Sequence, residues 1–163
     1  WDSKNTVAWD SSIEGAKEIN SLCVANPDVY YFSITNYKTK IDEDSGYHKP
    51  MKGMSNILKV QARLMGRKKA YYSDGTSTDS TWYLNDGVVN TVSMFGPTTG
   101  SSGPDPITEF RQGDLVIPGQ WYVMGNYEFD HSALIGHQMR KDEYSSLKKI
   151  YVNQMRMLWS LPN

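Results

Sequence analysis

Trp82-Tyr83-Leu84-Asn85-Asp86-Gly87-Val88-Val89-Asn90-Thr91-Val92-Ser93-Met94-Phe95-Gly96-Pro97 is the stretch on which the reading of this chain turns. The aromatic and apolar run over 81–84 predicts a strand. Asn85-Asp86-Gly87 then ends it in a turn, because Asn and Asp side chains accept hydrogen bonds from nearby backbone and glycine tolerates positive φ. Residues 88–94 are apolar with Asn and Thr interleaved. Two readings of Asp86 stay open. Asp-Gly after a strand is an ordinary hairpin signal. It also presents an acid at a strand's C-terminal end, facing a histidine further along the chain.

Toward the N-terminus, residues 11–25 predict a helix, with Ser11 and Glu14 as a capping box and Ile13, Ala16, Ile19, Leu22 and Cys23 at roughly helical spacing. Asn26-Pro27 stops it, and the β-branched and aromatic residues 29–35 predict a buried strand. Residues 36–80 hold Gly-bearing turns, Met51, Met54 and Met65, and Arg67-Lys68-Lys69, which reads as a solvated face. A short helix over 55–65 is compatible with the pattern, and the small polar tract 73–80 is a loop. Toward the C-terminus, 96–106 carries three Gly and three Pro and is a loop. Short strands are expected at 115–117 and 121–124, then an irregular stretch over 125–138. Asp142 and Glu143 open a terminal helix, with Tyr144, Leu147, Tyr151, Met155 and Leu158 as its buried stripe and Pro162 beyond its end. There is no internal repeat or heptad.

The chain has 163 residues, which suits one domain or part of a larger one. Five Trp, 11 Tyr and four Phe are too many for a disordered chain. With 17 basic against 18 acidic residues there is no field to gather phosphates, so nucleic acid is not an expected partner. No run of about 18 apolar residues exists to span a membrane. One cysteine, Cys23, excludes an internal disulfide and a Cys-based zinc site. Residue 1 is Trp, so the chain is expected to be a processed form or a piece of something longer.

A nucleophilic hydrolase needs a nucleophile, a base and an acid that orients the base. Three histidines are available. His48 sits in Tyr47-His48-Lys49-Pro50, read as a solvated loop, and His137 lies in the irregular stretch. His131 follows Asp130 between a strand and the last helix, where α/β-hydrolases carry their base; by position alone a surface histidine is the better reading. Asp86 precedes it by 45 residues, 131 minus 86, in the order such enzymes use. The serine is missing. Gly53-Met54-Ser55-Asn56-Ile57 lacks the second glycine of a nucleophile elbow, and Gly100-Ser101-Ser102-Gly103 lies in a loop. No His-Glu-x-x-His, Cys pair or complete calcium loop occurs.

The stretch 82–97 strongly resembles the segment around the catalytic aspartate of the staphylococcal and thermophilic bacillary triacylglycerol lipases. Trp121, Met124-Gly125, Tyr127 and Asp130-His131 are similar to that family's approach to its catalytic histidine. Residues 1–31 resemble an earlier family segment, in which an Asp opens a helix and a Pro-x-x-Tyr-Tyr strand follows. The likeness runs over 1–136 and is weakest over 36–80. It implies the C-terminal portion of an α/β-hydrolase fold, with a mixed, mostly parallel sheet and flanking helices. Residues 1–35 would give helix and strand, 36–80 an insertion or cap-like region, and 81–163 the strands carrying acid and base and the terminal helix. Asp86 would be the acid and His131 the base of a Ser-His-Asp triad. The serine would lie upstream of Trp1, so this chain alone would be inactive.

The resemblance further implies a lipid or ester substrate, met at a lipid–water interface, and secretion. Asp130 is the poorer acid candidate, since a residue rarely points its carboxylate at its neighbour's ring. The chain departs from the family at its metals. Where those lipases place acidic calcium ligands, two and about seven residues after the histidine, stand Ala133 and Gln138. Asn5 stands where a zinc-binding aspartate is expected. Gly53 matches a glycine that lends calcium its carbonyl, but one carbonyl holds no calcium ion. No metal or other cofactor is therefore expected. The rival expectation is a non-catalytic, aromatic-rich module binding carbohydrate or protein; two long motifs in the right order favour the hydrolase.

Overall fold

Proline cannot extend the helical hydrogen-bond ladder, and the chain beyond Pro27 turns into strand β1 (Tyr31–Asn36), around which the rest is organised. The computed structural model describes residues 4–96 and 107–162. Strands β2 (Thr39–Ile41) and β3 (His48–Pro50) follow as a separate antiparallel pair. Strands β4 (Ile107–Glu109) and β5 (Trp121–Tyr127) join β1 in a wholly parallel sheet of order β1-β5-β4. Parallel strands need covered crossovers, and helices flank them, so the fold is α/β.

The β1–β5 pairing explains where the site forms. Tyr31 stacks on Trp121 with ring centroids 4.8 Å apart, fixing the register at the start. The register then shifts between Ser33 and Thr35. Gly125 makes that bulge possible: it sits at φ +139°, and a Cβ there would lie 2.8 Å from the Tyr127 ring. Beyond the bulge Asn36 stands opposite Tyr127, and the chain leaving β5 runs directly into 128–131.

Two helices precede β1, α1 (Val7–Asp10) and α2 (Ile13–Leu22). The cap of α2 is Ser12, whose Oγ accepts the Gly15 N–H at 3.0 Å, and not Ser11. Glu14, expected to complete the box, instead accepts the Ser73 N–H at 2.8 Å. Helix α3 (Lys59–Met65) occupies only the second half of the stretch 55–65. Residues 81–84 are not a strand. Asp79 caps a 3₁₀ turn over Ser80–Tyr83, accepting the Thr81 N–H at 2.9 Å, and this local bond outcompetes the extended preference of the aromatic pair. Thr91–Met94 forms a second such turn, and 115–117 is not a strand either. The expected loop 96–106 falls, from residue 97 onward, outside the described residues.

Helix α4 (Lys141–Trp159) begins at a capping box in which Glu143 accepts the Arg140 N–H at 3.1 Å. Its buried stripe is Leu147, Ile150, Gln154 and Met157, not the expected one. Only Leu147 is common to both, and Met155 is 62% exposed. Leu147 and Ile150 pack on Phe129, Ala133, Leu134 and Met139, so the segment carrying His131 selects the helix face. The most completely buried large side chains are not in that apolar cluster. They are Asn85, Thr35, Thr39, Thr91 and Asp86.

Candidate active site

Burying polar side chains is favourable only when their hydrogen bonds are met, and here they are met by one another. Asn85 sends its Nδ2 to the carbonyls of Ala62 (3.2 Å) and Tyr83 (2.9 Å) and takes the Gly87 N–H on Oδ1 (3.0 Å). Its main chain exchanges two bonds with the Thr39 hydroxyl, at 3.0 and 3.1 Å, and its carbonyl also accepts the Lys38 N–H. Gly87 sits at φ +101° with Leu58 pressed against it; a Cβ would lie 2.8 Å from the Leu58 Cβ. The turn is thus clamped between β2 and the segment entering α3.

On this turn Asp86 is 1% exposed. Its Oδ1 accepts the N–H groups of Val88 (2.8 Å) and Val89 (2.7 Å). Its Oδ2 accepts the Asn36 amide at 3.3 Å and meets His131 Nδ1 at 2.9 Å. The two readings of Asp86 left open by the sequence therefore coexist, one oxygen on the turn and the other on the histidine. A buried carboxylate with four partners is compensated and held in orientation.

His131 is positioned through its main chain as well, its N–H donating to the Asp86 carbonyl at 3.1 Å. Its side chain is 47% exposed. No described residue bonds Nε2. A carboxylate facing Nδ1 favours the tautomer with the proton on Nδ1, which leaves an accepting lone pair on Nε2, toward solvent. Such a ring can take a proton from a hydroxyl, and the carboxylate behind it stabilises the resulting imidazolium.

Asp130 does not face the ring. Its Oδ1 accepts the Ala133 N–H (2.9 Å) and its Oδ2 the Ser55 N–H (2.7 Å), tying the histidine's segment to the loop before α3. The Ser55 hydroxyl donates to Gln138 Oε1 at 3.1 Å. His48 does not lie in a solvated loop, as the sequence led us to expect. It begins β3 edge-on to Tyr83, half-buried, and burial pushes it below the ordinary histidine value. His137 is exposed, and Ser101 and Ser102 lie outside the described residues.

Sequence reasoning passed over Asn36 and Lys38. Lys38 is buried, bonding Glu143 (3.0 Å) and Glu128 (3.1 Å). Burial depresses its ammonium, but the hydrogen bonds and charge of these two glutamates more than offset this and leave it above the ordinary lysine value. No local signal marks either residue, since every one of these side-chain partners lies 50 or more residues away in sequence.

At the positions where the resembled family holds calcium, the side chains here make other contacts. Ala133 is packed in the apolar cluster, Gln138 is engaged by Ser55, and both Asp130 oxygens already accept backbone N–H groups. A Cβ on Gly53 would meet the Arg140 guanidinium at 2.8 Å, so a fixed positive charge lies against the loop meant to hold a cation. Asn5 is an exposed amide and brings no charge to a zinc ion. Among the described residues, no group of three or more His, Cys, Asp and Glu could hold a metal.

The fold is a parallel α/β sheet, and the known proteins to which the chain is similar are lipases and esterases. No family model matches the chain. In sequence it is similar to Lipase of Staphylococcus hyicus, 27% identical over 150 residues, which are 91% of this chain and 21% of that protein. Lipase 1 of Staphylococcus aureus is 25% identical over 137 residues, 83% of this chain and 18% of that protein. Among solved structures, EstA from Clostridium botulinum superposes with TM-score 0.73 at 36% identity, covering 90% of this chain and 35% of that one. Lipase 1 from Pelosinus fermentans gives 0.72 at 25% identity, covering 99% and 40%. The chain is a homologue of the staphylococcal lipases. It spans about a fifth of the length of these curated relatives, and so only a part of a lipase.

Proposed function

We propose that this chain is the C-terminal portion of a serine carboxylester hydrolase, contributing Asp86 and His131 to a Ser-His-Asp triad whose serine lies upstream of Trp1. The observation that carries the reading is the 2.9 Å contact from Asp86 Oδ2 to His131 Nδ1, between residues 45 apart in sequence (131 minus 86). In the reaction, His131 Nε2 takes the serine proton as the hydroxyl attacks the ester carbonyl. It then returns a proton to the departing alcohol, while Asp86 stabilises the imidazolium formed in between. Water next attacks the acyl-enzyme by the same route.

The upstream half of its own chain is the first partner this reading requires. Exposed Leu22, Val24, Ile57 and Leu115 give that half apolar surface to cover. The substrate is a carboxylic ester of the triacylglycerol kind, reached at a lipid–water interface, with residues 36–80 as a cap-like insertion. Hydrolysis needs no metal or other cofactor in this reading, and the enzyme works outside the cell in lipid degradation. Among the described residues no helix is long and apolar enough to cross a membrane.

Full-length protein treated with a fluorophosphonate tests the proposal. One upstream serine should be labelled, with loss of turnover on a short p-nitrophenyl ester and on emulsified triacylglycerol. Turnover that survives complete labelling would refute the triad.

A further inference from the structure

Asn36, 3% exposed, ends β1, and both N–H bonds of its amide are spent on the site. One reaches Asp86 Oδ2 at 3.3 Å and the other the Phe129 carbonyl at 3.1 Å, two residues before His131. We propose that Asn36 is a positioning residue that sets the Asp86–His131 geometry; this rests on the triad reading above.

Three constraints make the case. Val88 and Val89 hold Asp86 Oδ1 from the main chain. Those bonds restrain the carboxylate through Oδ1 but leave Oδ2, the oxygen that meets His131, with no main-chain donor among the described residues. His131 cannot hold Oδ2 alone, since its half-exposed ring must keep its own position through each proton transfer. Asn36 supplies the missing fixed point, and by bonding the Phe129 carbonyl it ties the acid to the segment that delivers the base. Its own backbone is anchored in turn: the carbonyl accepts the Thr91 hydroxyl at 2.9 Å, and the N–H meets Met94 Sδ at 3.5 Å.

Only a neutral planar amide of this length does both jobs. Aspartate would face the Asp86 and Phe129 oxygens with oxygens of its own, and leucine would leave the Phe129 carbonyl without this partner. A purely structural asparagine would affect stability while leaving the chemical step alone. A positioning residue affects kcat, because misplacement by a fraction of an ångström is felt in the transition state.

The test uses the full-length protein with Asn36→Ala and the isosteric Asn36→Asp, beside Asp86→Asn as reference. The readouts are kcat and KM on a soluble ester and the downfield proton resonance of His131 Nδ1–H. Both Asn36 variants should lower kcat by about 10- to 100-fold with KM nearly unchanged, and broaden or shift the Nδ1–H signal. Should Asn36→Ala fail to fold, Asn36→Asp, which preserves volume, decides alone; should neither fold, the role is structural and the inference is overturned. If Asp86→Asn abolishes turnover while folded Asn36 variants keep kcat within twofold and an unmoved Nδ1–H signal, Asn36 does not position the pair. If Asp86→Asn itself leaves turnover intact, the triad reading has failed, a different and separable result.

Discussion

Replacing Asp86 by asparagine should disable the base while leaving the turn in place, and the structure dictates how. Two backbone donors, Val88 and Val89, point at the Oδ1 position, so the amide oxygen must remain there. The amide nitrogen then occupies the Oδ2 position, facing the Asn36 Nδ2 at about the present 3.3 Å and His131 Nδ1 at about 2.9 Å. Donor against donor is repulsive, and His131 relieves its half by moving its proton to Nε2 and accepting on Nδ1. The lone pair that should receive the serine proton is then turned toward the acid. Loss of the correct tautomer and of the charge behind the imidazolium should lower kcat by up to about four orders of magnitude, or about 5.4 kcal/mol at 1.36 per tenfold. The Asn36 amide has no such escape, so stability should fall by about 1–3 kcal/mol. Initial rates on a p-nitrophenyl ester with the full-length protein, beside urea unfolding of the same sample, measure both. A variant with kcat within tenfold of the parent would show that the 2.9 Å contact serves folding alone.

The 163-residue chain by itself should hydrolyse no short p-nitrophenyl ester; turnover blocked by a serine-directed inhibitor would expose a nucleophile among its own residues. Millimolar calcium should raise the melting temperature of the full-length protein by less than about 2 °C, because a weak site adds little by mass action, and a rise of about 10 °C would mean that ligands come from elsewhere. Burial holds His48 below the ordinary histidine value of 6.5, so the folded state binds that proton less readily than the unfolded chain. Its contribution to stability is therefore complete above that value and lost as pH falls through it toward the lower folded value. Urea midpoints at about pH 7.5 and about pH 5.5 should differ less in His48→Phe than in the parent, and an identical difference would remove His48 from the acid response.

What could be read from the sequence was what short-range chemistry controls. The strand after Pro27, the strand at Trp121 and the helix opening at Asp142-Glu143 follow from composition and capping within a few residues. Asp86 and His131 were singled out because both sit in long recognisable motifs, and the fold brings them to 2.9 Å. Where a local bond competed with propensity, the reading failed: Asp79 folds the aromatic run after it into a 3₁₀ turn. Where a tertiary partner chose, it failed again, since the surface under α4 selects the Leu147–Ile150 face over that of Tyr151 and Met155. Asn36 was invisible because its partners are 50 and 93 residues away, and nothing local to β1 asks for an amide.

The interior of amides, hydroxyls and two carboxylates has a mechanical consequence. A strand packed only through oily side chains can slide by two residues, keep its inward and outward faces, and lose little. Strand β1 cannot. A slip of two residues would break Thr35 from the Gly125 carbonyl, Asn36 from Asp86 and Phe129, and, with the adjoining β2, Thr39 from Asn85, all at once. These bonds act together as the wards of a lock, admitting one alignment of 35–39 against 85–91 and 125–131. Asp86 and His131 are thereby brought within hydrogen-bond reach whenever the chain folds.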